Sequence, residues 1–529
     1  MTFPTNGRSS SVWMDDASEL NFPPLPGDLD TEVCIIGAGI AGLTTAYLLM
    51  KEGKRVTVID ALGVAAGETG RTTAHFFPPD EWYAGLEHKF GTDKARLVAG
   101  AYASATQLVE DIVAWEAIPC SFERLDGYLY NLPGSATDLS EEFLAAKRAG
   151  VHVDFCDRVP GLSFDTGPCV RYRNQAQFHP VQYLVGLADC LVRNGVAIYG
   201  QTPASQVTQT SQGECVSTAH GQIRAETVVV ATNTPFNNRV VMHTKQAGYR
   251  TYVIGVLVPK GSVPRILLWD TGDPYYYVRL QPLWHHPNHE LLIVGGLDHK
   301  VGQDVHPEHR FQELEQWTRG HFPMAQSVEY QWSGEVMEPA DGLAYLGRNP
   351  LDSDSVYVIT GDSGNGMTHT TIGAMIIRDQ LMKRPNPWIT LFDPARKATH
   401  GLGEFAREQA NTLSQYTDWV KGGEAESAAE IAPGQGAIVR DGTSKLAVYR
   451  DDGGGLHAVS AACTHLGCQV HWNSVERSWD CPCHGSRFGT DGAVLHGPAH
   501  TPLAAAELPA AQEEPGRAAG QPRPASPRH

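Results

Sequence analysis

Nowhere is the chain apolar over anything near the ~20 consecutive residues that a membrane-spanning helix needs. Nor do its basic residues gather in one place, and the 41 lysines and arginines are outnumbered by 59 aspartates and glutamates, for a net charge of −18. An integral membrane segment is therefore not expected, and neither is a nucleic-acid partner, which would need clustered cations to track a phosphate backbone. Charged residues are only 19% and hydrophobic ones 42% of 529 residues, which excludes a disordered or coiled-coil chain and makes two or three globular domains the default. The first thirty residues carry no basic-then-apolar leader pattern, so a cytoplasmic setting is expected. Internal repeats are also lacking.

Cysteine is scarce over most of the chain. Cys34, Cys120, Cys156, Cys169, Cys190 and Cys215 are scattered singly and read as small buried hydrophobes. The remaining four, Cys463, Cys468, Cys481 and Cys483, are bunched, which outside a secreted disulfide scaffold points to metal or redox chemistry.

What is present divides the chain into five parts. Residues 1–30 form a polar, Pro-rich extension. Over 31–396, β-like apolar runs (33–36, 56–59, 228–231, 356–360) alternate with helix-like periodic segments, the pattern of α/β layering. One helix is expected after His179, with Pro180 in its first turn, Leu184, Leu187, Ala188 and Leu191 on one face, and Gly195 just past its end. Residues 397–430 read as a helical connector followed by a flexible linker, KGGEAESAAE. Short β-like runs with Asp-Gly punctuation make 431–509 a small all-β module, and 510–529 has the composition of a disordered tail.

The first chemical motif is a buried strand ending in Gly37-Ala-Gly39-Ile40-Ala41-Gly42 and opening a helix. Gly37 permits the tight turn, Gly39 lets the backbone approach a pyrophosphate, Gly42 lets helix pack on strand, and the helix N-terminus offers free N–H groups to phosphates. The next strand ends at Asp60, at the spacing where a carboxylate accepts from an adenosine ribose and repels a 2′-phosphate. A dinucleotide site follows. NAD and FAD folds share the fingerprint, and only one complete copy is present, so a separate nicotinamide domain is not supported.

Three further segments, Gly67-Glu-Thr69-Gly70-Arg71-Thr72-Thr73-Ala, Val228-Val-Val-Ala231-Thr232-Asn-Thr-Pro and Thr360-Gly361-Asp-Ser-Gly364-Asn-Gly-Met367-Thr368, resemble in this order the D-amino-acid-oxidase (glycine oxidase, sarcosine oxidase) class of FAD enzymes. The resemblance covers roughly 30–390. It implies FAD as cofactor and a Rossmann-type FAD-binding domain with an interleaved β-rich substrate domain. It places residues 69–73 near the pyrophosphate and ring system, Ala204 against the adenine, Ala231 and Thr232 in the site, and Gly361, Gly364, Met367 and Thr368 along the flavin ring. The Gly-rich turn opening the last helix would supply N–H groups where charge collects on reduced flavin.

The second motif is Cys463-Thr-His465-Leu-Gly-Cys468 followed by Cys481-Pro-Cys483-His484-Gly-Ser486-Arg-Phe488. A Cys and a His from each box can supply two thiolates to one iron and two imidazoles to the other. Both boxes are similar to the Rieske family, as is the later loop Gly497-Pro498-Ala499. The resemblance implies a [2Fe–2S] cluster with Cys463, His465, Cys481 and His484 as ligands, and Cys468 paired with Cys483 in a disulfide that braces the loops. Phe488 stands where high-potential relatives carry a tyrosine that donates to a cysteine sulfur, so a lowered potential is expected. The segment after Leu503 turns Ala- and Pro-rich where a closing strand belongs, which questions whether the sheet is complete.

Two cofactors in one chain suggest an enzyme that oxidises a small organic substrate and relays electrons from flavin to cluster to an external one-electron carrier such as a ferredoxin, cytochrome or quinone. Resemblance to amine and amino-acid oxidases points to a C–N bond. The alternatives are reversed flow, with the cluster feeding a flavin that reduces substrate or activates oxygen, and a non-enzymatic electron-transfer or redox-sensing role. For substrate contact, Tyr277 is expected as a pocket wall, Arg279 as a fork for a carboxylate, and His179 as a group facing the pocket.

Overall fold

The structure is a computed structural model, and it describes residues 6–15, 20–132, 135, 137–237, 242–304, 306–397, 410–412, 414–420, 422–442 and 444–508. The tail expected over 510–529 and most of the helical connector before residue 421 lie outside these residues.

The apolar run 33–36 is flanked on both sides by parallel partners, Val56–Ile59 and Gly221–Val230, as a strand buried on both faces must be. Around it an eight-stranded sheet runs Tyr345–Arg348, Val356–Thr360, Gly221–Val230, Leu29–Ile36, Val56–Ile59, Ala197–Tyr199, with the hairpin Ala204–Thr210/Gly213–Thr218 added to Gly221–Val230. Helices Ile40–Lys51 and Gly366–Leu381 pack on each other beside it. Helix Pro180–Arg193 forms as the sequence predicts, with Leu184, Leu187, Ala188 and Leu191 fully buried and Gly195 at φ +82° past its end.

A second, nine-stranded sheet, whose long members are Val328–Pro339, Gln246–Pro259, His289–Lys300, Tyr276–Pro282, Glu123–Tyr130 and Cys169–Gln177, carries the residues of the cavity described below. Its strands come from several separate stretches of chain, which is the interleaving expected.

The C-terminal module holds a three-stranded sheet (Gly436–Asp441, Ser444–Arg450, Leu456–Ser460) and a four-stranded one (His471–Asn473, Ser478–Asp480, Arg487–Phe488, Val494–His496) around Ile438, Ala447, Val459, Trp479 and Phe488. Two sequence expectations are corrected here. Residues 422–430 are part of the module and not a linker: Glu424 N donates to Ile438 O at 2.7 Å, Ala425 bridges Val439, and Ala428 is fully buried. Small side chains let this segment lie against the sheet edge, so a composition typical of linkers also suits an edge cover. The end of the sheet is likewise closed, because Ser460 N donates to Ala504 O, Ala506 N donates to Ala458 O, and Ala505 bridges Val459.

The N-terminal extension is also structural. Val12 and Trp13 are fully buried, Trp13 Nε1 donates to Thr72 O at 2.6 Å, and Ser11 Oγ donates to Gly70 O at 2.6 Å.

Candidate functional site: a dinucleotide cavity walled by the C-terminal module

Each fingerprint glycine has a steric reason. Gly37 sits at φ +115°, and a Cβ there would lie 2.3 Å from Ala231 O; one on Gly42 would lie 1.8 Å from Gly37 O. Gly37 in the turn and Gly42 in the first turn of helix Ile40–Lys51 therefore both have to be glycine. Asp60 lies at the cavity, yet its carboxylate already accepts from Ala38 N (2.8 Å) through Oδ2 and from Leu62 N (2.8 Å) and Gly63 N (2.9 Å) through Oδ1. It orders the turn while lining the cavity.

The cavity has a volume of about 430 Å³. Of the residues predicted for the cofactor, Gly37, Gly39, Ile40, Ala41, Asp60, Thr69, Arg71, Thr72, Thr73, Ala204, Ala231, Thr232, Gly364 and Met367 line it. Gly42, Gly70, Gly361 and Thr368 stand behind the lining. Gly70 fills a close approach, since a Cβ would sit 2.5 Å from Ala65 O, and Gly361 takes φ +74°. A glycine-shaped cradle at a helix N-terminus, continuous with a cavity reaching helix Gly366–Leu381, fits FAD.

The three substrate candidates separate. Tyr277 lines the cavity with Tyr275, Trp269, Phe77 and His75, its hydroxyl 3.3 Å from Thr251 Oγ1. Arg279 does not: fully buried behind the wall, it donates to Thr73 O and Ala74 O at 2.6 Å, to Phe178 O at 3.2 Å and to Gln281 Oε1 at 2.6 Å. Its fork holds backbone carbonyls and is unavailable to a substrate carboxylate. His179 is also corrected, because its Nδ1 accepts from Gln182 N (3.2 Å) as the helix cap and its ring packs edge-on against Trp13. Burial and Arg279 hold it neutral, down to about 3. His75 is neutral for the same reasons, also at about 3.

The cluster boxes lie on two loops that converge. The rings of His465 and His484 are 4.9 Å apart at 89°, and His484 Nδ1 is buried with no hydrogen-bond partner among the described residues. The Ser486 hydroxyl and the N–H groups of His465 and Leu466 lie towards Cys463 and those of Cys483 and His484 towards Cys481, and the neighbouring Cys481 together with these donors holds the Cys463 thiol below its ordinary range. Adjacent sulfurs surrounded by donors, together with paired imidazoles from the same two loops, fit a cluster with one all-sulfur and one nitrogen-ligated iron. Cys468 and Cys483 are joined in a disulfide, with Cα atoms 6.5 Å apart. The Gly497-Pro498 loop closes the site, Ala499 N donating to Ser486 Oγ at 3.1 Å.

The two sites share a wall. Val494, Leu495, His496, Gly497, Ala499 and His500 of the C-terminal module line the dinucleotide cavity. From the other side, buried His243 places its ring 4.9 Å from that of His465 and 6.2 Å from that of His484. Arg71 lines the cavity, but its guanidinium turns to Glu476 of the module. Neither His243 nor Glu476 stands in a recognisable motif, and no local signal in the sequence marks them.

The fold and these sites define a flavoprotein oxidoreductase that also carries an iron–sulfur centre. The chain matches the FAD dependent oxidoreductase family over residues 32–380 and the Rieske [2Fe-2S] domain over 422–507, and it belongs to the FAD dependent oxidoreductases with a C-terminal Rieske domain. It is 31% identical over 502 residues to the Rieske 2Fe-2S iron-sulfur protein YhfW of Bacillus subtilis (strain 168), covering 94% of this chain and 97% of that protein. Its cluster module is 44% identical over 81 residues to the cytochrome b6-f complex iron-sulfur subunit of Chlorobaculum tepidum, 14% of this chain and 45% of that one. Among solved structures, glycine oxidase from Geobacillus kaustophilus superposes with a TM-score of 0.58 at 18% identity, covering 70% of this chain and 99% of that one, which is a likeness of fold. FAD and a [2Fe–2S] cluster are the cofactors. Among the described residues no helix is long and apolar enough to cross a membrane.

Proposed function

We propose that the protein is a dehydrogenase that oxidises a carbon–nitrogen bond of a small substrate and passes the electrons, through its cluster, to an external one-electron carrier. The observation that carries this reading is the shared wall, in which residues 494–497, 499 and 500 of the cluster module line the flavin cavity while the ring of His243 packs near those of His465 and His484. Bound FAD supplies a two-electron acceptor and the cluster a one-electron acceptor.

The chain's own contribution is placement and exclusion. Phe77, Trp269, Tyr275 and Tyr277 wall the cavity beneath the second sheet, shield it from water and orient a C–H bond beside nitrogen. Neutral His75 and Tyr277 present no charge to the reacting carbon. On the outer side, Leu466 is 42% exposed in the loop between the ligands Cys463 and His465 and the disulfide-bonded Cys468, and this supports approach of a carrier there. A cytoplasmic setting belongs to the same reading and is supported by the six scattered cysteines, all free thiols.

The test is His484→Ala in the FAD-loaded protein. Substrate-driven bleaching of the flavin is expected to persist while cluster reduction disappears; equal loss of both contradicts the relay.

A further inference from the structure

Carboxyl groups gather at one end of the cavity, Asp298 and Glu338 from the second sheet and Asp80 and Asp362 from loops beside it, and that end holds few cations. Asp298 and Asp362 line it, and Asp80 and Glu338 lie next to them, a Cβ on Gly364 falling 2.7 Å from Asp80 Oδ2. Glu338 accepts from Ser363 Oγ (2.7 Å) and Asp362 from Met337 N (3.0 Å). After burial, the strongest influences on Asp80 are other carboxyls, and both Asp80 and Glu338 are pushed up, Glu338 to about 8. Asp298 differs from the others. The Tyr275 hydroxyl donates to its Oδ2 at 3.2 Å and Thr251 lies beside it, while Oδ1 is buried with no hydrogen-bond donor among the described residues. A buried carboxylate oxygen without a donor is costly unless a ligand supplies one.

Three aromatic rings, Trp269, Tyr275 and Tyr277, line the same end. Aromatic rings and a carboxylate oxygen without a donor together favour a cation, by about 0.5–2 kcal/mol per well-placed ring. Among the described lining residues the single arginine or lysine is Arg71, whose guanidinium is held by Glu476, Asn6, Ser9 and Ser333. A substrate carboxylate brought here would meet buried carboxyl groups and no guanidinium fork.

We propose that the substrate is an alkylammonium ion with no carboxylate on its reacting carbon, its nitrogen held at Asp298 Oδ1 between Tyr275 and Tyr277. This rests on the C–N oxidation proposed above and names its substrate class. Asp298 Oδ1 orients the ammonium group and takes the proton that must leave before the C–H bond can react. The overall change is RCH2NH3+ → RCH=NH2+ + 2 H+ + 2 e−, the electrons going to the bound FAD and onward singly to the one-electron carrier. Water then converts RCH=NH2+ to RCHO and NH4+. Arg279, turned away behind the wall, accounts for the missing recognition of an α-carboxylate.

Matched pairs test this in the FAD- and cluster-loaded protein without oxygen: n-butylamine against norvaline, 1,4-diaminobutane against ornithine, and benzylamine against phenylglycine, read as flavin bleaching. At least one amine is expected to bleach the flavin at a concentration tenfold or more below its carboxylated partner. Asp298→Asn, with flavin content and spectrum retained, is expected to raise the amine concentration needed by at least tenfold, and Asp298→Glu to recover part of that loss. Bleaching by the amino acids as well as or better than by the amines, or an unchanged response in Asp298→Asn, overturns the substrate class while C–N oxidation stands. Bleaching by neither set, with dithionite still effective, removes C–N oxidation itself.

Discussion

Arg71 Nη1 and Glu476 Oε1 meet at 3.0 Å with both side chains fully buried, tying the flavin cavity to the cluster module across 405 positions of sequence. The pair sits in a dense network. Glu476 also accepts from Arg8 N, Ser9 N and Ser333 Oγ, Arg250 lies 3.9 Å from it, and Arg71 Nε donates to Asn6. Burial alone would raise the Glu476 pKa, but Arg71, Arg487 and Arg250 hold it well below the ordinary range. Glu476→Gln leaves buried guanidinium groups uncompensated and should cost roughly 3–5 kcal/mol. Lowered melting temperature and slower flavin-to-cluster transfer in the variant check this; unaltered values for both contradict it. Because the folded-state pKa is depressed, this stabilisation is complete above the unfolded value and is lost as pH falls towards the folded one.

His179, His75 and His369 add to the pH response in the same direction, over a higher pH range. Burial pushes them down to about 3, about 3 and about 4. The unfolded chain takes up protons below about pH 6.5 that the folded one refuses, so stability falls as pH drops, by roughly 2 kcal/mol per histidine between 6.5 and 5. His179→Asn keeps a helix-capping side chain and removes one such group. A plot of melting temperature against pH from 7 to 5 should be shallower for the variant, and an identical slope would show that His179 does not titrate in this way.

The Cys468–Cys483 bridge closes a loop of 15 residues, worth ~3 kcal/mol in chain-entropy terms. Replacing both cysteines by serine should speed the release of iron and sulfide on mild heating while leaving flavin content unaltered. Equal release rates would assign the bridge no bracing role.

Phe488 is fully buried in the same core as Cys463 and Cys481. Phe488→Tyr, if its hydroxyl reaches a cluster-ligating sulfur, adds a donor worth about 1.4 kcal/mol, which for one electron is roughly 60 mV upward in midpoint potential. Redox titration followed by electron paramagnetic resonance reads the shift, and a potential at or below that of the parent chain refutes the assignment.

Both cofactor sites were legible because their chemistry is local. Gly37 to Gly42 must be spaced for one turn, and Cys463-x-His465 and Cys481-x-x-His484 for one pair of loops, so consecutive residues carry the signal. Arg279 misled because an arginine on a strand reads the same whether it faces a cavity or, as here, the carbonyls of Thr73 and Ala74. The segment 6–15 has the composition of a loose extension, yet Trp13 is buried and Ser9 contacts Glu476; such a role depends on partners hundreds of positions away. Likewise, that one oxygen of Asp298, Oδ1, lacks a donor among the described residues is visible only once Tyr275 and Thr251 are placed around it.

The account's centre is that charge moves between the two cofactors inside a single folded chain. Rapid mixing of the oxygen-free, fully loaded wild-type protein with dilute reducing substrate, with flavin absorbance and cluster paramagnetism followed together, tests it most directly. The predicted record is a flavin decay followed by a cluster signal that rises at a rate independent of protein concentration. A flavin that reduces fully beside a cluster that stays oxidised, or a rise that scales with protein concentration, contradicts it.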